Sequence, residues 1–293
     1  MNGIFFVFLA LITSILSPLF SKSVLKPKSA HDPMAYASIS FFLTSIYALV
    51  FYLLTSYHIQ DFMILRNPYV LLLLFLDIFV WALGSCFYYP PYKHLPLSET
   101  TIASSLEGFF ALIFGLLLFH TETFNILRLL GGALVIFSVA IVSQEKGKWK
   151  FNTFTLLFLV ATLLFGLGAV VDNTIIAHKF FSSVIFLMIF NFGITAFVVA
   201  LFKPHTIKRL HTIYTDKKAV LAVILSSFTT GLSFFFIYNA YRLHIVASQV
   251  QLLLSTQTVF IVLLGFLLFK EKANLRKKLL AGVIAMIGIY LVS

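Results

Sequence analysis

Asp77, Trp81, Ser85, Tyr88 and Tyr92 follow one another at spacings of four, four, three and four. That spacing places side chains on one stripe of a helix. A carboxylate, an indole and phenols on one inward face would hold an amine or quaternary ammonium group through charge and cation–π attraction. The competing reading is that Trp and Tyr sit at a membrane interface or fill gaps between helices, and it applies best to Tyr88, Tyr89 and Tyr92 near the helix end. Glu107 lies about ten residues into another apolar run, near its middle. A carboxylate there costs about 2.5–3.5 kcal/mol on insertion scales, so it should face a helix bundle or a wet cavity. Its plain alternative is an interhelical hydrogen bond. Asp172 and Asn173 close a run containing Gly166 and Gly168. Asp172 would receive substrate or a proton at a cavity mouth, or simply meet water or pair with His178 or Lys179. Gln249 and Gln257, eight apart, share a helix face that Gln251 does not.

The candidate substrate-binding residues are therefore Asp77, Trp81, Tyr88, Glu107, Asp172, Asn173, Tyr238, Gln249 and Gln257. Asn191 and Asn239 are weaker additions. Glu107 and Asp77 are the candidate proton-coupling groups, because uptake of a proton by a desolvated carboxyl competes with a cationic ligand.

The elements that must position these residues are apolar helices. The chain has 293 residues, 60% of them hydrophobic and only 11% charged, which excludes an ordinary water-soluble fold. A bilayer-spanning helix needs roughly 20 apolar residues. Ten segments qualify: about 2–21, 34–57, 68–89, 97–119, 125–143, 153–175, 180–202, 219–241, 246–269 and 275–292. The first has no basic residue ahead of it and no convincing cleavage site after it, so it reads as a retained helix. The connections are too short for an extramembrane domain.

Residues 96–143 and 246–293 repeat one pattern at an offset of 150. Ser98, Ser105, Phe110, Gly115, Leu117, Leu118 and Phe119 recur as Ser248, Ser255, Phe260, Gly265, Leu267, Leu268 and Phe269. Leu129, Leu130, Gly132, Val142 and Ser143 recur as Leu279, Leu280, Gly282, Val292 and Ser293. By the same offset Glu107 corresponds to Gln257, Tyr88 to Tyr238, Asp77 to Ser227 and Lys22 to Asp172. Five helices per copy insert the copies in opposite directions, the mark of a transporter fold with its site near the midplane. The expected architecture is all-α, ten transmembrane helices in two inverted five-helix repeats: residues 1–143, a linker at 144–152, and residues 153–293.

The net charge of +11 is not a nucleic-acid signature, because the basic residues lie in connections. Seventeen of the 21 fall in one alternate set, among them Lys22, Lys26, Lys28, Lys93, Lys146, Lys203, Lys270 and Lys278. Four, Arg66, Arg128, Lys179 and Arg242, fall in the other. This bias puts the richer side in the cytoplasm and both termini outside. The lone Cys86 excludes an intrachain disulfide and a Cys-based metal site. The eight histidines lie in or near connections without ligand spacing, so no metal and no cofactor is expected. Pro90-Pro91 ends the third segment sharply. Gly131-Gly132, Gly282 and Gly288 suit close helix packing. No phosphate-binding loop, nucleotide fingerprint or Ser–His–Asp arrangement can be assembled, which argues against an enzyme.

The stretch Leu95-Pro96-Leu97-Ser98-Glu99 through Glu107-Gly108-Phe109-Phe110, running on to Gly115-Leu116-Leu117-Leu118-Phe119-His120-Thr121-Glu122, resembles the hallmark of EamA-type members of the drug/metabolite transporter superfamily. Ser255-Thr256-Gln257-Thr258-Val259-Phe260 through Phe269-Lys270-Glu271 resembles the same element. Gly108 stands where that family usually has proline, which would lose or soften a local kink, and Glu271 sits one position early relative to Glu122. The family's usual orientation puts both termini inside, against the charge count.

The resemblance implies a secondary transporter working by alternating access between two halves. Substrate would be lined by helices one, three, four, six, eight and nine. A small polar metabolite, an amino acid or related amine, is the leading cargo, with proton coupling or exchange. The rivals are a broad-specificity exporter of lipophilic cations and a non-transporting membrane protein such as a scramblase. The expected partners are the small-molecule substrate and the lipid bilayer, with no nucleic acid, in a monomer or homodimer. The expected location is a multi-pass position in a bacterial inner membrane.

Overall fold

Backbone polar groups in hydrocarbon must be satisfied within their own segment, and this chain does so by coiling almost everywhere. The computed structural model describes residues 3–27, 29–55, 64–122, 125–145, 148–149, 153–202, 205–269 and 275–292. Lys28, His58, Lys146, Lys150, Lys203, Lys270, Glu271, Lys272 and Ser293, and most of the expected linker at 144–152, lie outside the described residues. The principal helices are α1 (Gly3–Val24), α2 (Pro33–Thr55), α3 (Pro68–Tyr88), α4 (Leu97–Ser104), α5 (Leu106–Leu117) and α6 (Ile126–Ser143). They continue as α7 (Thr153–Ala177), α8 (Val184–Phe202), α9 (Lys217–Arg242), α10 (Ala247–Ser255), α11 (Gln257–Phe269) and α12 (Leu275–Val292). A two-residue ladder pairs Gln144 with Trp149 and Glu145 with Lys148.

Eight stretches among the described residues are long and apolar enough to cross a bilayer, with α4–α5 and α10–α11 each counting as one. The 18-residue helices α6 and α12 fall outside that set; α12 opens on Arg276, Lys277 and Lys278. The seventh expected segment becomes helical only at Val184.

The fourth and ninth segments, expected as continuous helices, are each broken. At Ser105 the backbone N–H bonds Ile102 O, and the hydroxyl donates to the same carbonyl at 2.6 Å. At Thr256 the N–H bonds Leu253 O, and the hydroxyl donates there at 2.7 Å. At each break the backbone N–H bonds three residues back rather than four, and the hydroxyl joins it on the same carbonyl. The break thus falls at Ser105, which keeps αR dihedrals, and not at Gly108. Gly108 instead permits contact with α10: a Cβ there would lie 2.7 Å from Leu252 Cγ and 3.0 Å from its backbone N.

Packing is pairwise. Helix α1 lies on α9, α3 on α7, α2 on α8, and α6 on α12. Helix α5 lies on α7 and α10, and α4 on α11. Lipid removes much of the hydrophobic drive between helices, so hydroxyls and small residues hold them together. Ser38 donates to Ala196 O at 3.0 Å, Thr44 to Ser227 O at 3.1 Å, and Ser45 to Ile189 O at 3.0 Å. Ends are capped conventionally: Asn67 accepts from Tyr69 N with Pro68 at the first turn of α3, and Asp216 accepts from Lys218 N and Ala219 N at α9. The polarity of an ordinary globule is inverted. Leu54 is 77% and Phe75 70% exposed, while Asp77 is fully buried.

Candidate functional site

A cavity of about 170 Å³ opens between α1, α3, α5, α7, α9 and the α10–α11 break, with Phe41 of α2 contributing. Helix α1 lines it with Ser14, Ser17, Pro18 and Ser21. Pro18 has no N–H, so the helix loses the bond to the Ser14 carbonyl on this face. Ser14 donates to Gln257 Oε1 at 2.6 Å, and Ser17 pairs with Thr230 at 2.8 Å. Ser21 pairs with the Tyr36 hydroxyl at 2.9 Å. The opposite wall is aromatic: Trp81, Tyr88, Tyr89, Tyr92, Phe165 and Phe234. The Tyr88 and Tyr92 hydroxyls bond each other at 2.7 Å, and Trp81 stacks on Phe165 with centroids 4.8 Å apart.

Glu107 reaches this cavity from the first turn of α5. Its carboxyl has no hydrogen bond or ion pair among the described residues. Gly166 of α7 makes its backbone placement possible. A Cβ there would lie 2.7 Å from Phe110 Cβ, 2.9 Å from Glu107 O and 3.0 Å from Ala111 N. Only glycine admits so close an approach.

Behind the Trp81 indole lies a second polar cluster. Asp77 and Asp172 are buried side by side, 0% and 1% exposed. Trp81 Nε1 donates to Asp172 Oδ2 at 3.2 Å, and the Tyr238 hydroxyl donates to Asp172 Oδ1 at 2.8 Å. Asn191 Nδ2 donates to Asp77 Oδ2 at 2.8 Å and reaches Asp172 Oδ1 at 3.5 Å. Thr195 in turn donates to Asn191 Oδ1 at 3.3 Å.

Residues 1–144 and 153–293 each match the EamA-like transporter family. The chain belongs to that family. No curated protein matches it. A solved crystal structure of a protein aligns at a TM-score of 0.71 and 15% identity, covering 99% of this chain and 96% of its own. At that identity the likeness is one of fold. The EamA-type resemblance of the Pro96–Glu122 element is thus matched by the family assignment, and the chain is a multi-pass membrane protein of a transporter family.

The nine candidate binding residues divide between several places. Trp81, Tyr88, Glu107 and Gln257 line the cavity. Asp77, Asp172 and Tyr238 form the cluster behind it, with Trp81 shared. Asp172 was expected near a helix end, meeting water or pairing with His178 or Lys179; it is instead interior and bonded to Trp81, Tyr238 and Asn191. Asn173 donates to Ile245 O at 3.0 Å, a tie between α7 and the start of α10. Gln249 does not line the cavity, whereas Gln251 does. The expected shared face of Gln249 and Gln257 assumed one continuous helix, whereas Thr256 separates α10 from α11 between them. Asn239 donates to Phe235 O within its own helix.

Sequence reasoning passed over Ser14, Ser17, Ser21, Thr230 and Ser233, which supply the hydroxyls of the cavity. The available signal was Pro18 inside an apolar run, with serines four and one positions before it and three after. Glu122, the family exit carboxylate, takes a structural place: it accepts from the Ser248 hydroxyl at 2.5 Å and the Ser248 N–H at 3.4 Å, at the start of α10.

Proposed function

We propose that this protein is a secondary transporter that carries a small amino-bearing metabolite by alternating access. The observation that carries the reading is Glu107: a buried-side carboxyl with no partner among the described residues, in a cavity walled by aromatic rings and hydroxyls. An ammonium group there gains charge attraction from Glu107 and cation–π attraction from Trp81 and the tyrosines. The hydroxyls of Ser14, Ser17, Thr230 and Ser233 suit a second polar group on the same solute. A proton competing for Glu107 would release the cation, which is a route to exchange.

We read the architecture as two inverted five-helix halves, residues 1–143 and 153–293, giving ten spans when α6 and α12 are counted. The exchange of partners supports this: α1 packs on α9 while its repeat mate α7 packs on α3, the mate of α9. The like pairs α2 with α8 and α6 with α12 meet each other, as a two-fold axis between halves requires. The charge bias supports both termini outside a bacterial inner membrane, and a reporter fused to the C-terminus tests that orientation.

A thermal-shift screen of amino acids, amines, nucleosides and vitamins on the purified protein tests the cargo. An amino-bearing solute should raise the melting temperature with the logarithm of its concentration. In liposomes loaded with that solute, Glu107→Gln should lose the pH dependence of flux, and full retention would remove the assignment. The rival, an exporter of lipophilic cations, is favoured by the six aromatic rings of the wall. Competition by bulky aromatic cations at the metabolite's own concentrations would select it.

A further inference from the structure

The Asp77–Asp172 cluster does something the cavity does not. Its two carboxyl groups, on α3 and α7, meet at one amide: Asn191 Nδ2 lies 2.8 Å from Asp77 Oδ2 and 3.5 Å from Asp172 Oδ1. Two carboxylate oxygens repel at that range, and in a dry interior nothing screens them. The donors facing the pair are the Trp81 indole, the Tyr238 hydroxyl and the Asn191 amide. Together they leave Asp77 Oδ1, a fully buried atom, with no hydrogen-bond partner. The other titratable groups that face it are Tyr241 of α9 and, at longer range, Glu107 of α5. No Lys, Arg or His among the described residues bonds or pairs with either Asp. Asp77 Oδ1 therefore lacks a hydrogen, and the pair lacks a positive charge. One proton held between the two carboxyls supplies both.

We propose that Asp77 and Asp172 form a proton-binding site separate from the cavity and joined to it through the Trp81 indole. Trp81 is the shared part: its ring lines the cavity and its Nε1 bonds Asp172. Taking up a proton from solvent changes the charge that Trp81 Nε1 faces, and leaving it restores that charge. A ring that must move to admit or release a solute is then sensitive to the state of the pair. Only the coupling consequence rests on the transport reading. Proton binding itself does not.

The test uses the full chain in detergent micelles with Trp149→Phe, which leaves Trp81 as the single indole. Its fluorescence is followed from about pH 5 to about pH 9, with infrared difference spectra recording carboxylic-acid C=O stretches. We expect a proton-linked transition shared by both signals, lost in Asp77→Asn and in Asp172→Asn, and kept in Glu107→Gln, which removes only a C=O band of its own. A transition unchanged in both Asn variants, or removed by Glu107→Gln alone, overturns the site. If an Asn variant fails to fold, Tyr238→Phe replaces it and must displace the midpoint by about half a pH unit or more; an unmoved midpoint overturns the site equally. A wild-type protein that shows the transition yet moves no solute in liposomes ends the transport reading and leaves the proton site standing.

Discussion

Glu107 and Asp172 are both carboxyls inside the same bundle, yet their surroundings are opposite. Asp172 accepts from an indole, a phenol and an amide and is 1% exposed. Glu107 has no such partner among the described residues and faces a cavity. A buried polar group that is satisfied mainly specifies packing; one left unsatisfied in a cavity is available to a ligand. The contrast teaches that intramembrane charge alone does not identify a binding residue. Its hydrogen-bond count does.

The largest effect should come from removing a donor that Asp77 and Asp172 share. Asn191→Leu removes the amide that serves Asp77 and reaches Asp172, leaving two adjacent carboxyls without it. We expect a loss of about 3 kcal/mol in folding stability. Glu107→Gln should change stability by less than about 0.5 kcal/mol, because no protein partner is lost. Denaturant or thermal unfolding in micelles compares the two. Equal losses would erase the distinction between the clusters.

Gly166→Ala sharpens the comparison from the backbone. Its Cβ would meet the Glu107 carbonyl at 2.9 Å and Ala111 N at 3.0 Å, and backbone yields less readily than a side-chain tip. Helix α5 must shift and carry Glu107 with it. We expect about 1–3 kcal/mol of destabilisation and at least a tenfold weaker ligand in the thermal-shift assay. Asp172 sits further along α7 than Gly166 and packs on α3, α8 and α9 rather than on α5, so with α5 giving way the Trp81 fluorescence transition should stay in place.

Trp81→Phe acts on both clusters at once. It keeps an aromatic ring in the cavity but deletes the 3.2 Å bond to Asp172. A hydrogen bond to a carboxyl is worth about 1.5–3 kcal/mol, so unfolding should register a loss in that range. Solute flux should persist while its dependence on the proton gradient weakens. An unaltered dependence would separate the two clusters altogether.

Much of this arrangement could be read from residue spacing. The 4-4-3-4 stripe from Asp77 to Tyr92 does face inward, because Asp77, Trp81, Ser85 and Tyr92 are all buried. The family was legible in the Pro96–Glu122 element, which keeps its pattern of small residues and its exit carboxylate. What stayed hidden depended on local breaks. The helices break at Ser105 and Thr256, where N–H and hydroxyl both turn to the carbonyl three residues earlier, and hydropathy does not register such a bond. Across the Thr256 break from Gln257, Gln251 lines the cavity and Gln249 does not. Asp172 was placed by its distance from a helix end, but its partners come from α3, α8 and α9, which only tertiary packing brings together.

The smallest effect concerns a carboxylate in neither cluster. Asp216 caps α9, accepting from Lys218 N at 2.9 Å and Ala219 N at 3.3 Å, with His31 Nε2 at 3.2 Å. The backbone N–H groups of Ala219 and Lys218, chiefly, and then His31, hold its carboxyl below the usual value. A carboxyl depressed in the folded state stabilises fully above its unfolded pKa and loses that contribution as pH falls through the folded one. Asp216→Asn keeps the cap geometry but not the charge, so the wild type should exceed it slightly at neutral pH and converge with it in acid. Melting temperatures of the two proteins between about pH 7 and about pH 3 check this. Because the group is solvated, the gap should also shrink with added salt, whereas the losses at Asn191 and Trp81 should not. A salt-sensitive loss at Asn191 would place that cluster in water rather than in the protein interior.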